Sequence, residues 1–267
     1  MKKLSTTKTN KNLTTDGKVK LLGSAREVAQ WWYGFLSKKF APTKAELKRP
    51  ELEELFTAGK GHLHEKEILA GLSKMNADKA TGLDGIPVEI YKSCPVCKEA
   101  LVQLLQTIWR DEEVSVSFAQ AKFVILYKIK DRLTILLNTV VWECLITPSY
   151  KVLTQCLLAR LEKETDGFLS DWQAGFRVNR GCLDNILVLR SICDDTIEKG
   201  EQVFITFIDY FAAFDSVSHH YLDKVLGEAG ATDKSRSITR AIYNVVSART
   251  AVQGIDGEVI FSEVFSV

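Results

Sequence analysis

A chain of 267 residues with 46% apolar and 26% charged residues has the make-up of an ordinary globular protein, with room for one large domain or two small ones. Its formal charge of +1 excludes bulk electrostatic attraction for nucleic acid, so any basic groove has to be local. No stretch approaches the roughly 20 apolar residues that a membrane-crossing helix needs.

Taken in order, residues 1–22 carry lysines, Thr and Asn without the apolar core of a secretion signal, and predict a disordered basic arm. Residues 23–60 predict a helical connector. Ser24 caps a helix whose Val28, Trp31, Trp32, Phe35 and Leu36 recur at helical spacing, and a charged linker bracketed by Pro42 and Pro50 follows. A helix over 64–75 places Ile68, Leu69 and Leu72 on one face, and the run Gly82, Asp84, Gly85, Pro87 forces a loop before a short helix. Residues 97–113 and 149–164 read as amphipathic helices, and 121–131 as a strand ending in alternating basic residues. A Gly- and Arg-rich loop over 172–182 precedes a helix to about residue 200.

The run "VFITFI" (203–208) is apolar on both faces apart from Thr206 and predicts a central buried strand that delivers Asp209 to a sheet edge. Helices at 218–230 (Ser cap, Gly stop) and 233–248 follow, then two strand-like runs around an Asp-Gly turn. Helices and strands without regular alternation argue an α+β fold. Six cysteines without a signal peptide are read as reduced thiols of the cytosol or nucleus, with no disulfide partner. Cys94 and Cys97 have metal-ligand spacing, and His62 and His64 lie upstream. The "HLH" spacing is too tight for a zinc site, so plain loop cysteines are expected.

An aspartate before a helix is ordinarily a cap. Here the surrounding segments change that reading. "FIDYFAAFDSVSHHYL" resembles the first catalytic motif of reverse transcriptases from non-long-terminal-repeat (LINE-type) retrotransposons. "WQAGFRVNRGCLDNI" is similar to the family's Gln-x-Gly-Phe-Arg segment and "KATGLDGIPVEIYK" to its Lys-Ala-x-Gly-x-Asp-Gly-Ile-Pro segment. "ILYKIKD" and "YKVLTQCLLARLE" fall in family order. The resemblance covers roughly residues 24–267. It implies an incomplete right-hand polymerase over 61–267, with fingers and part of the palm, and the thumb absent.

The implied chemistry is RNA-directed DNA synthesis on an RNA template with a DNA primer and deoxynucleotides, by phosphoryl transfer at two Mg²⁺ ions. Oxygen ligands suit Mg²⁺, so Asp209 is the implied catalytic and metal-binding residue, helped by the backbone carbonyl of Tyr210. Phe214 is the implied steric gate against a ribose 2′-hydroxyl. Lys128 and Lys130 lie near the incoming triphosphate, or are a solvated strand end. Gln173 and Arg177 shape the template path, and Arg177 either meets phosphate or makes a structural ion pair.

Two departures limit the resemblance. The family's aromatic-Ala-Asp-Asp hairpin does not follow Asp209, so the isolated chain is expected not to polymerise. Counting back from Lys151, Val141 stands where the family carries a triphosphate-binding arginine. Codons for Asn138-Thr139-Val140-Val141 can spell Tyr-Arg-Gly one base out of frame, an explanation the coding DNA tests. A non-catalytic RNA- or hybrid-binding remnant, or a relic without function, remain the alternative expectations.

Overall fold

The computed structural model describes residues 12–14, 19–21, 25–39, 61–127, 140–210, 213–214, 216–253 and 259–266. It is a mixed α+β structure, as composition and periodicity predict. In chain order the elements are β1 (Asn12–Thr14), β2 (Val19–Leu21), α1 (Ala25–Lys39), α2 (Glu65–Lys74), α3 (Val88–Ser93), α4 (Pro95–Asp111), β3 (Gln120–Tyr127), β4 (Val140–Leu145) and α5 (Pro148–Thr165). They continue with α6 (Cys182–Glu198), α7 (His219–Glu228), α8 (Asp233–Val245), β5 (Ser247–Gln253), β6 (Val259–Phe261) and β7 (Phe265–Ser266).

The helical core gathers on α5. Its Val152, Leu153, Cys156 and Leu157 recur at helical spacing and are buried against Ile68 and Leu72 of α2, Leu101, Leu105 and Trp109 of α4, and Ile238 and Ile242 of α8. Thr147 caps α5 by accepting from the Tyr150 amide, and Pro148 opens its first turn, where its missing N–H costs nothing. Between α2 and α5, Arg160 donates to both carboxylate oxygens of Glu67 (3.0 and 2.8 Å), and its guanidinium lies 4.6 Å over the Trp109 ring. Truncating one buried leucine of this cluster costs about 2–5 kcal/mol by loss of transfer free energy plus the cavity left.

A second, smaller cluster builds the sheet layer. The order is β4-β3-β5-β6, with β7 pairing β5. β3 pairs antiparallel with β4 and parallel with β5, Phe123 opposing Cys144 on one side and Thr250 on the other. Trp32 and Leu36 of α1 bury against Ala121, Phe123, Ala248 and Phe265. The Trp-rich helix therefore belongs to the fold as a layer on the sheet.

Three expectations are corrected here. Part of the predicted disordered arm pairs as an antiparallel hairpin, Asn12 opposing Leu21. Asp16-Gly17 lies between the two strands and is a hairpin signal that the lysine-rich composition masked. Cys97 is not a loop residue, because α4 begins at Pro95, whose fixed φ suits a first helical position; Cys94 is the single non-helical residue joining α3 to α4. Residues 203–208 form no strand among the described residues. Both edges of β3 are already taken, by β4 and β5, so the apolar run finds no central place in the sheet.

Candidate nucleic-acid interface

The segment that carries Asp209 lies exposed and outside regular secondary structure. Phe204 is 90% exposed and Phe207 83%, and Ile208 and Tyr210 are exposed as well. Among the described residues none of the backbone groups from 203 to 210 is paired in a ladder. Asp209 is exposed too, and its carboxylate makes no hydrogen bond or ion pair among the described residues. Among the described residues it is neither a helix cap nor a partner in a salt bridge. The cap of the following helix is Ser218, which accepts from the Tyr221 amide. Asp215 lies outside the described residues.

The Gly- and Arg-rich loop folds back on that segment. Phe176 has φ +59°, a left-handed conformation that bulky side chains rarely adopt, and its ring meets Phe214 edge-on with centroids 5.8 Å apart. This contact joins the loop to the Asp209 segment. Arg177 donates to Asp166 (2.9 Å) and to the Ser170 carbonyl (2.8 Å), and its side chain is only 11% exposed. The structural ion pair, one of its two expected roles, is present. Gln173 donates to the Gly175 carbonyl within the same loop, at 3.3 Å. Both residues shape the turn that presents Phe176.

A second locus joins the 79–87 segment to the start of α5. A Cβ on Gly82 would lie 2.6 Å from the Thr147 nitrogen, so only glycine lets this loop seat on the α5 cap. The Gly85 amide donates to the Gly82 carbonyl, Asp84 accepts from the Ile86 amide, and Gly85 has φ +67°. These bonds make a rigid turn out of the Gly-Leu-Asp-Gly sequence. Beside it opens a cleft of about 300 Å³ lined by Lys74, Lys79, Lys151, Glu143, Thr81 and Pro87, among others. Three cations against one carboxylate make the cleft locally basic in a chain of formal charge +1. None of the three lysines has an ion-pair partner among the described residues.

Sequence reasoning did not single out these lysines. Lys79 and Lys151 stand inside segments that carry the family resemblance, whereas nothing in the sequence marks Lys74. Lys128 and Lys130 lie outside the described residues. No three His, Cys, Asp or Glu side chains gather into a metal site among the described residues. One exposed aspartate does not make a two-Mg²⁺ centre, so the residues described do not by themselves fit that group. Among the described residues no helix is long and apolar enough to cross a membrane. No protein-family model matches the chain, and no curated protein does.

Proposed function

We propose that this chain is the fingers and opening palm of a LINE-type, RNA-directed DNA polymerase, binding an RNA template and DNA primer without catalysing extension by itself. The observation that carries the reading is the ordered series of family-like segments between Lys79 and Leu222. Two features of the fold support it. The basic cleft is lined by residues 79–81 and 87–88 of one of those segments and by Lys151 of another, and the Phe176–Phe214 contact joins two others. Asp209 supplies one metal-binding carboxylate, and a complete centre needs more from beyond the described set. Phe214, 80% exposed and five residues on, is where a ribose 2′-hydroxyl would be refused.

A reading without catalysis, in which the cleft simply binds nucleic acid, rests on the same lysines. Anisotropy of a fluorescent RNA–DNA primer–template tests what the two share. Three phosphate contacts predict an affinity loss of roughly 20–40-fold between 50 and 200 mM salt. Lys79→Ala should weaken binding and lower the salt slope by about one. Absence of binding at 50 mM salt, or affinity indifferent to salt, contradicts both readings. A longer chain bearing the remaining carboxylates separates them: Mg²⁺-dependent extension abolished by Asp209→Ala supports the polymerase, and absence of extension supports the remnant.

A further inference from the structure

Cys94 sits where two helices meet. Its amide donates to the Ile90 carbonyl at the end of α3, and its carbonyl accepts from the Lys98 amide in the first turn of α4, both at 3.0 Å. It is the N-cap of a 17-residue helix, with extended backbone (φ −97°, ψ 112°), and Cys97 is the third residue of that helix. N-cap and third-residue side chains face one another across a helix start, the arrangement in which a capping residue reaches the amide of the third. Both cysteines are half-buried, and Val96 between them stands in solvent.

The two thiols are electrostatically unequal. No cap hydrogen bond of ordinary length reaches the Cys94 sulfur. The Cys97 amide and thiol and the Val96 amide nevertheless face it and hold its pKa below the ordinary thiol value, while the Cys97 thiol is raised by its neighbour. The contrast within the molecule is sharp. Cys156, deep in the helical core, is pushed up to about 11 by burial. A thiolate at a helix N-terminus with a second thiol one turn away is the chemistry of thiol–disulfide exchange.

We propose that Cys94 and Cys97 form a reversible dithiol–disulfide site, Cys94 the attacking sulfur and Cys97 the resolving one, whose oxidant is a low-molecular-weight disulfide of the glutathione type. The Cys94 thiolate attacks one sulfur of the disulfide, forming a mixed disulfide and releasing one thiolate, which takes up the proton Cys94 gave. The Cys97 sulfur, on losing its proton, then attacks Cys94, forming the Cys94–Cys97 bond and releasing the second small thiol. The dithiol is oxidised by two electrons and the small disulfide is reduced to two thiols. The proposal does not depend on the polymerase reading, since it uses no residue of the basic cleft or of the 203–214 segment.

The test uses the full chain in glutathione disulfide–glutathione buffers at pH 7, followed by peptide mass mapping. The expected result is a peptide two hydrogens lighter that links Cys94 to Cys97. Cys97→Ser should instead hold glutathione on Cys94. Iodoacetamide should label Cys94 at least about fivefold faster than Cys193, which is equally half-buried but sits within α6. The wild-type chain is itself the first sample, so the outcome does not depend on a variant folding. Labelling of Cys94 no faster than Cys193, or separate glutathione adducts on both cysteines without closure, overturns the proposal.

Discussion

Two glycines separate backbone demands that sequence alone presents alike. Gly82 lies against the backbone of Thr147, closer than any Cβ tolerates, whereas a Cβ on Gly34, inside α1, would meet nothing within 4 Å. Gly82→Ala should therefore destabilise the chain by about 2–3 kcal/mol through overpacking against rigid backbone. Gly34→Ala should stabilise it by about 0.5–1 kcal/mol through helix propensity. Thermal melts of the two variants beside the wild type check both signs. Equal shifts would mean that the 82–87 turn does not seat on the α5 cap.

At the scale of elements, the ion pair between α2 and α5 gives stability a pH dependence. The Arg160 hydrogen bonds hold the Glu67 carboxyl below its ordinary value of 4.5, against an opposing effect of burial. A lowered carboxylate contributes stability that is present above the unfolded pKa and is lost as pH falls through the folded one. Arg160→Ala should cost about 1–2 kcal/mol at pH 7, discounted because Glu67 is about one-third exposed. The wild-type advantage should shrink as pH falls below about 4.5. Melts from pH 3 to 7 check this, and an advantage that persists at pH 3 would assign the effect to Arg160 packing on Trp109 instead.

Helices α1, α2, α4, α5, α7 and α8 were legible because each carries an apolar stripe or a cap that is visible locally. α6 was legible as a helix, yet Leu183, Ile186 and Leu187 are all exposed, so its periodicity marked the element without showing whether anything covers it. Strand β4 is short, and nothing local in the sequence marks it as a strand. The 203–208 run was misread for a different reason. Unbroken apolarity says that a segment would gain by burial, but which sheet edge is open depends on partners more than 40 residues away: here β5 holds the β3 edge. Of the candidate site, the motif residues were readable, whereas the lysine cleft required the fold to bring 74, 79 and 151 together.

At the scale of the whole molecule, two packed clusters, one of helices and one of α1 on the sheet, leave the region from the Gly- and Arg-rich loop to Val217 largely outside the core. Trp172, Phe176, Leu187, Phe204, Phe207 and Phe214 are all exposed there, and Phe176 meets Phe214 edge-on. The proposed function puts Asp209 and Phe214 of this region beside the primer terminus. Hydrogen exchange over 203–210, measured free and with an RNA–DNA hybrid at low salt, tests that assignment most directly. The account predicts fast exchange in the free chain, since these amides have no ladder partner, and clear slowing when the hybrid is bound. Amides already protected in the free chain, or amides untouched by a hybrid that demonstrably binds, would contradict it.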